Sequence, residues 1–322
     1  MTNKPIAFSG IQPSGALHLG NYVGAIQQWI EMQKTHDLFI SIVDYHAMTV
    51  PYEASEMPER VRNLALDLLA LGIDPEKCTF FVQSYIPEHT ELAWIFNTLT
   101  PLGELERMTQ FKEKSEQHKQ RASVGLMTYP LLQAADILMY DAEIVPVGED
   151  QVQHIELARD TARKFNNAYG ETFVETKAAI NKSSRLLGLD GKGKMSKSNG
   201  EKTTLMISDD TDTVLKKIRK AVVKPADMPA NAQTIFDWHD TTFDTPETKE
   251  HSDLCRNQDS NCKEYKELVA KNISEWLAPI QECRAAMEKA GKLDEILKAG
   301  AEKAQSIAKA KMEEVRKIIG IR

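Results

Sequence analysis

Short apolar runs alternate with helical patterns along the first half of the chain, and this alternation constrains the fold more than any other feature. Four runs are predicted strands: residues 5–8, 38–43, 79–82 and 143–147. Their apolar residues are continuous rather than alternating with polar ones, which is typical of strands covered by helices on both faces. Helical patterns lie between or after them: a stretch from residue 20, then 61–71 and 150–165. The sequence therefore predicts an α/β fold with a doubly wound parallel sheet.

The pattern changes in the second half. Residues 183–204 are rich in Gly, Lys and Ser with little apolar periodicity, and they are predicted to form a long mobile loop. The remainder shows helical patterns only, with predicted linkers at 225–229 and 241–246. A chain of 322 residues exceeds what a single core usually fills, so two domains are expected. We place them at 1–185 and 186–322.

Composition restricts the class of protein. No apolar run approaches the roughly 20 residues of a membrane-spanning helix, and the N-terminal residues lack the apolar core of a secretory signal. Four scattered cysteines favour a reducing, cytoplasmic location over a disulfide framework. The net charge of −7 argues weakly against a general nucleic-acid binder, but the sum conceals a local concentration of Lys and Arg. These residues are Lys194, Lys197, Lys202, Lys216, Lys217, Arg219, Lys220 and Lys224.

The loop after the first predicted strand has the features of a phosphate site. A turn rich in Gly and Ser at residues 9–15 leads to His18, Gly20 and Asn21 at the start of a helix. A helix N-terminus offers unpaired N–H groups and the positive end of its dipole, and glycine allows a close approach of the backbone. Glycines alone would indicate an ordinary strand-to-helix turn. His18 and Asn21 add side-chain donors at the same point and favour nucleotide binding.

A second loop carries Lys194-Met195-Ser196-Lys197-Ser198. Ammonium groups on a glycine-flanked loop suit a polyphosphate, whereas a solvated basic loop is the ordinary alternative. Gly188, Gly193 and Lys194 also fit the spacing of a P-loop, but Met195 stands where the Ser or Thr that holds magnesium would be. The P-loop interpretation is therefore rejected.

Two carboxylates stand in unusual positions. Asp150 follows a predicted strand and opens a helix, where it either caps that helix or binds a nucleotide ribose. Asp136 lies alone in the apolar stretch 129–140. Buried carboxylates need a partner, so Asp136 meets either an internal donor or a hydrogen bond from a ligand.

Taken together, these motifs resemble the bacterial tryptophanyl-tRNA synthetases, which are class I aminoacyl-tRNA synthetases. The resemblance covers nearly the whole chain and rests on residues 9–15, 103–115, 145–151, 194–198 and 300–304. It implies a Rossmann-like, HUP-type catalytic domain and a C-terminal all-helical domain that binds the tRNA anticodon. It also implies that the last helix can pack back on the catalytic domain.

The implied reaction is attack of the tryptophan carboxylate on the α-phosphate of ATP, followed by transfer of tryptophan to tRNA(Trp). The nucleophile is already ionised at pH 7, so catalysis depends on positioning and charge stabilisation rather than on a general base. By resemblance His18, Lys114, Lys194 and Lys197 surround the triphosphate, with Mg²⁺ on its oxygens. Asn21 replaces the second histidine of the family's HIGH motif, so no role is assigned to a second imidazole.

The resemblance also assigns the binding residues. Those matched to ATP binding are Gln12, Pro13, Ser14, Gly20, Asn21, Gly148, Glu149, Asp150, Leu187, Lys194, Met195, Ser196, Lys197 and Ser198. Those matched to tryptophan are Phe8, Val43, Tyr129, Asp136, Ile137, Val145, Val147 and Gln151. Asp136 matches the acceptor for the indole N–H, and phenylalanine would leave this carboxylate buried and unpaired.

Two alternatives remain: a tyrosyl-type synthetase and a non-catalytic paralogue that binds or regulates. A P-loop NTPase, already rejected on its sequence, would hydrolyse ATP without any amino acid. Residues 134–136 and 148–151 favour tryptophan over tyrosine, and the presence of His18 and Asp136 favours a catalytic protein. By resemblance the enzyme is a homodimer with no membrane partner, and residues 91–111 lie near the interface. The apolar stretch 94–96 could equally belong to the core.

Cys255 and Cys262 lie in the predicted helical domain. Some relatives hold an iron–sulfur cluster there on four cysteines, but the outer pair is missing, so no cluster is expected. A zinc site that adds His239 and His251 matches no familiar spacing. We expect no metal held by the protein itself and two buried free thiols.

Overall fold

The core of the structure is a five-stranded parallel sheet. This computed structural model describes residues 4–109, 123–180, 185–258 and 262–321. The strands are β1 (Ile6–Ile11), β2 (Asp37–Ile42), β3 (Cys78–Val82), β4 (Ile144–Val147) and β5 (Lys177–Ile180). Their order across the sheet is β3-β2-β1-β4-β5. The chain therefore winds outward from β1 in one direction and then, through β4, in the other, which confirms the predicted doubly wound fold.

The strand residues explain this arrangement. Every residue of β3 is buried, as are the last five of β2, because helices cover both faces. The register pairs Ala7 with Leu38 and Ala7 with Ile144. In this register the carboxyl ends of β1, β2 and β4 meet at one edge of the sheet.

Helices account for most of the remaining chain. The first half contains α1 (Leu19–Asn21), a π-helical turn (Tyr22–Ile26), α2 (Gln27–Thr35), α3 (Asp44–Ala47), α4 (Met57–Ala70), α5 (Glu88–Leu99), α6 (Leu102–Glu106), α7 (Val124–Leu138) and α8 (Val152–Tyr169). The second half contains α9 (Thr211–Lys220), α10 (Ile235–Thr242), α11 (Pro246–Gln258), α12 (Cys262–Ala290) and α13 (Leu293–Ile319). None of the described helices is long and apolar enough to cross a membrane.

Two hydrophobic clusters flank the sheet. One joins α2 and α4 to the helices of the second half through residues such as Trp29, Leu66 and Ile273. The other joins α5, α7 and α8 to α13 and includes Phe96 and Met312. Because both clusters contain residues from each half of the chain, burial of apolar surface holds the two halves together.

The segment after β5 differs from the predicted long mobile loop. A two-stranded parallel sheet forms from β6 (Arg185–Leu186) and β7 (Ala232–Gln233). Leu186, Leu189 and Met195 are buried, and the Met195 N–H donates to the Leu186 carbonyl at 2.8 Å. The segment is irregular, as expected, but its apolar side chains anchor it to the core. Their irregular spacing concealed this packing from a search for periodicity.

Cys255 and Cys262 of the helical region are joined as a disulfide, so the prediction of free thiols at these two positions was wrong. The sulfurs come together because α11 ends and α12 begins close to this point. His239 is engaged elsewhere: its ring nitrogens lie 3.3 Å from Asp240 Oδ1 and 3.0 Å from Asn272 Nδ2. In the described part of the chain, no group of three or more His, Cys, Asp or Glu side chains is arranged to hold a metal ion.

Helix α13 packs directly on β3, the strand at one edge of the sheet. An edge strand exposes unpaired backbone groups, and covering it with a helix protects them. Gly300 makes the close approach possible, since a Cβ added there would lie 1.8 Å from the Phe80 carbonyl oxygen. Arg316 near the end of α13 pairs with Glu91 of α5 and secures the same helix.

Gly300→Ala is expected to destabilise the fold by about 1–3 kcal/mol, because the new methyl group meets backbone rather than a flexible side chain. This loss outweighs the ~1 kcal/mol by which alanine normally favours a helix over glycine. Chemical denaturation measures the difference. Gly125→Ala in α7 is the control, since its Cβ would meet only Ser123 Oγ at 3.6 Å. Equal stability of the two variants would contradict this account of the α13 contact.

Candidate active site

The loop between β1 and α1 ends in a reciprocal helix cap. His18 Nδ1 accepts from the Asn21 N–H at 3.2 Å, and the His18 N–H donates to Asn21 Oδ1 at 3.0 Å. The cap explains why Asn21 serves at this position, because its side chain completes the capping box. Since Nδ1 accepts a hydrogen bond, a neutral His18 carries its proton on Nε2.

His18 is buried and lies near two ammonium groups. Burial, with the positive charges of Lys197 and Lys194, lowers the pKa of His18 from 6.5 to about 4. The imidazole is therefore uncharged at pH 7. The positive charge around this loop comes from the lysines and not from His18.

The loop with Lys194 and Lys197 lies against the first loop. Lys197 Nζ donates to the Ser14 carbonyl at 3.3 Å. A Cβ at Gly20 would lie 2.9 Å from His18 Nδ1 and 3.1 Å from Met195 Cβ, so glycine is required here by contacts within the protein. The structure thus brings the two predicted phosphate-binding loops together.

A cavity of about 310 Å³ opens beside these loops at the carboxyl ends of β1, β2 and β4. This is the position at which doubly wound sheets bind their ligands. All eight residues matched to tryptophan line it: Phe8, Val43, Tyr129, Asp136, Ile137, Val145, Val147 and Gln151. Gln12 and Gly148, both matched to ATP, line it too, so the cavity and the nucleotide loop share a boundary.

Asp136 lies in this cavity wall with 1% of its surface exposed and is fully hydrogen-bonded. Its Oδ2 accepts from His46 Nε2 at 2.8 Å, and its Oδ1 accepts from His89 Nδ1 at 2.6 Å. Gln83 Nε2 lies within 2.9 Å of both oxygens. The other ring nitrogen of His89, Nε2, lies 2.6 Å from the Tyr140 hydroxyl. These side chains fix the orientation of the carboxylate.

The charge on Asp136 is retained despite burial. Burial alone would raise its pKa, but the imidazole of His89 and hydrogen bonds from both histidines outweigh that effect and lower the pKa to about 2. The cavity therefore contains a fixed negative charge among apolar side chains. Such a group selects for a ligand with an N–H donor.

Several residues matched to ATP have other contacts in the structure. Glu149 Oε2 accepts from Asn231 Nδ2 at 2.8 Å, and Asp150 Oδ2 accepts from Gln151 Nε2 at 2.8 Å. Both acidic side chains are exposed beside the cavity. Three further matched residues belong to the packed loops: Pro13, Leu187, which pairs with Lys194, and Ser196, whose side chain caps Ser198. Lys114 lies outside the described residues.

The sequence analysis missed His46, Gln83 and His89, which hold Asp136. Two of them carried a usable signal: Gln83 directly follows β3, and His46 comes shortly after β2. Polar residues just beyond the carboxyl ends of parallel strands face the ligand edge of the sheet. His89, inside α5, had no comparable signal.

An NMR titration of the histidine ring protons should give His18 a pKa of about 4. Because this value lies below the 6.5 of an unfolded chain, the His18 contribution to stability is complete above pH 6.5 and is lost as the pH falls towards 4. Lys197→Met should raise the His18 pKa but leave it below 6.5, since burial remains. Lys192→Met, in the same loop, should leave it unchanged. A wild-type His18 that titrates at 6.5 would refute the proposed environment.

The chain matches the family model described as tRNA synthetases class I (W and Y) over residues 1–293. It is 44% identical to the tryptophan–tRNA ligase of Deinococcus radiodurans over 97% of this chain and 98% of that protein.

Solved structures show the same similarity. Tryptophanyl-tRNA synthetase from Campylobacter jejuni, complexed with ADP and tryptophan, is 37% identical, with a TM-score of 0.85 over 98% of this chain and 99% of that one. The enzyme from Mycoplasma pneumoniae is 30% identical, with a TM-score of 0.84 over 99% and 98%. With sequence and structure in agreement over almost the full length, the chain belongs to the class I tRNA synthetases for tryptophan and tyrosine, within the bacterial tryptophanyl-tRNA synthetase family.

Proposed function

We propose that the chain acts as a tryptophan–tRNA ligase and that the cavity beside β1 and β4 binds L-tryptophan. The observation that carries this assignment is the ionised Asp136 in a cavity whose other lining residues are apolar or uncharged polar side chains and His46. Indole offers only an N–H donor, so a carboxylate is its natural acceptor. Phenylalanine has no donor, and the tyrosine hydroxyl, which can also donate, lies at a different position relative to its ring.

The geometry changes how this carboxylate discriminates. Asp136 already accepts from His46, Gln83 and His89, so a bound phenylalanine would not leave it unpaired, contrary to the sequence-based argument. Of these donors only His46 also lines the cavity. Indole therefore reaches Oδ2 beside His46, and the added charge-assisted bond contributes about 1.5–3 kcal/mol, or roughly 10- to 150-fold.

ATP would lie along the two loops next to this cavity. His18 Nε2–H would donate to a phosphate oxygen, while Lys194 and Lys197 would supply the positive charge that stabilises the transition state. By resemblance Lys114 joins them. The carboxylate of tryptophan is ionised at pH 7, so positioning rather than proton removal is the task of these residues.

Mg²⁺ would reach the site with the nucleotide. The described residues contain no cluster of carboxylates suited to a metal, whereas phosphate oxygens are preferred ligands of this ion. When bound, it would neutralise part of the phosphate charge. We also propose a cytoplasmic location, where ATP and tRNA are available. The Cys255–Cys262 disulfide removes the cysteine argument for a reducing compartment, so this proposal rests on the substrates alone.

The surface of α9 supports tRNA(Trp) as the second substrate, though with fewer free charges than the sequence suggested. Lys216 and Lys220 are exposed. Lys217, by contrast, pairs with Asp209 at 2.6 Å and Arg219 with Glu267 at 2.9 Å. These pairs reduce the positive charge of the patch available for phosphate contacts.

A second copy of the chain would cover an apolar groove of about 440 Å³ between α5 and α7. Trp94 lines it and is 71% exposed, while Val124 nearby is 78% exposed. Exposed apolar patches of this kind mark interfaces. The groove also contains Tyr129, which lines the tryptophan cavity, so dimer formation would support the substrate site.

Amino-acid-dependent ATP–pyrophosphate exchange tests the proposed function. Wild-type protein should exchange with tryptophan and far more weakly with tyrosine or phenylalanine. Asp136→Asn should lower kcat/KM for tryptophan by about 100-fold or more, because an amide cannot accept from all three donors. Asp160→Asn on the exposed face of α8 is the matched control. Full activity of folded Asp136→Asn would overturn the assignment, as would preference for tyrosine.

Trp94→Glu should convert a dimer into a monomer, because it buries a charge in the proposed apolar interface. Sedimentation velocity measures the change in mass. Val174→Glu, at an exposed site outside the groove, should leave the dimer intact. A monomeric wild-type protein would contradict the proposed dimer.

A further inference from the structure

An ion pair joins the helical region to the helix beneath the nucleotide loop. Arg284 on α12 donates from Nε to Asp67 Oδ1 of α4 at 2.7 Å, and from Nη2 to Asn63 Oδ1 at 2.7 Å. The Asp67 side chain is only 12% exposed. A partly buried arginine fork with two acceptors is far better defined than an ordinary surface pair.

Asp67 also lies beside the nucleotide loop. The backbone of Leu17, the residue before His18, lies close enough to this carboxylate to act against the rise in its pKa, and the Asp67 side chain lines the same cavity as Gly15 and Ala16 of the loop. The carbonyl of Leu17 accepts from the Ile207 N–H at 3.0 Å. Asp67 therefore lies between Arg284 and the backbone that places His18.

A second side chain of α12 reaches the same backbone from the other side. Gln281, three residues before Arg284, donates from Nε2 to the Ile207 carbonyl at 2.8 Å and to the Asp209 carbonyl at 3.0 Å. Residues three apart share one face of a helix. One face of α12 thus contacts the Ile207 segment directly through Gln281, and reaches the Leu17 segment through Arg284 and Asp67.

Polar links supplement apolar packing on this side of the loop, where Leu17 and Ile207 belong to the hydrophobic cluster that also includes Leu277 of α12. A cavity of about 500 Å³ lies between Gly15 and Ala16 of the loop and the side chains of Gln281 and Arg284. Packing cannot hold atoms across an open cavity. The carboxylate of Asp67 provides the contact that bridges this space.

The charge on Asp67 depends on its partner. Burial raises the pKa of Asp67, while Arg284 and the backbone of Leu17 act in the opposite direction. Asp67 in turn counteracts the burial and the Arg60 charge that lower the pKa of Lys197. Arg284 therefore favours the ionised form of a carboxylate that lies beside the loop and acts on Lys197.

We propose that Asp67 is a positioning residue for the ATP-binding loop and that Arg284 holds it in place, so that α12 controls ATP affinity. Asp67 acts through Leu17, His18 and Lys197 and touches no reacting atom itself. The proposal rests on the proposed function only in requiring that ATP binds at this loop. Tryptophan binding should be independent of the pair, because neither Asp67 nor Arg284 lines the tryptophan cavity.

Full-length Asp67→Asn, Arg284→Met, their double variant and Arg284→Lys test this assignment. In tryptophan-dependent exchange, each of the first two should raise KM for ATP by about 3- to 30-fold, while KM for tryptophan changes less than twofold. The double variant should lose no more than the worse single variant, because both changes break one unit. Arg284→Lys retains the charge beside Asp67 and should recover most of the ATP affinity.

A matched control and a second measurement separate the outcomes. Arg163→Met removes another two-pronged pair, with Glu175 at the surface, and should leave KM for ATP unchanged. Calorimetric titration with ATP alone measures affinity without exchange, and thermal unfolding confirms that each variant is folded. If the wild type binds ATP but shows no exchange, the proposed function fails while the titrations still decide this proposal. Unchanged ATP affinity in folded Arg284→Met, or equal losses for both substrates, would overturn it.

Discussion

The parallel alignment of β1 with β2 and β4 is the constraint on which the rest of the structure depends. It brings the carboxyl ends of three strands to one edge, where the chain direction changes and a crevice forms. Phe8, Val43 and Val145 reach the same cavity only because of this alignment. A shift of one residue in β1 would turn Phe8 to the opposite face and remove the cavity wall. The apolar runs that form the strands of the sheet therefore also supply the residues that line the candidate site.

The fold could be predicted from the apolar runs and the lining of the cavity from the family resemblance. The positions of Gln83 and His46 after β3 and β2 indicate the ligand edge of the sheet but do not reveal that these residues hold Asp136. Continuous apolar runs identify buried parallel strands, and a lone aspartate in an apolar stretch indicates a buried carboxylate that needs a partner. Its partners His46 and Gln83 are 90 and 53 residues away. No local pattern encodes a contact at that distance, since it exists only once the strands are aligned. The disulfide between Cys255 and Cys262, only 7 residues apart, was missed for a different reason: it depends on how α11 meets α12.

Net charge was a poor guide because charge acts locally. The value of −7 describes the whole chain, whereas Lys194 and Lys197 act at one loop and lower the pKa of His18 there. Counting the Lys and Arg residues of one segment also overestimates its positive charge, since Lys217 and Arg219 form ion pairs within the protein. What a phosphate meets is the small set of ammonium groups without a nearby carboxylate.

A carboxylate that is satisfied before substrate arrives selects by a different route from one left unpaired. An unpaired, ionised Asp136 would be unfavourable in the empty site and with every wrong ligand alike. In the empty site burial would raise the pKa of Asp136, and the carboxylate would become neutral. With His46, Gln83 and His89 in place, the charge persists in the empty site and its orientation is fixed before binding. The correct ligand then gains a hydrogen bond, while a wrong one merely fails to gain it. Discrimination by this one contact is therefore moderate, and the remainder must come from the fit of the indole ring against the apolar wall.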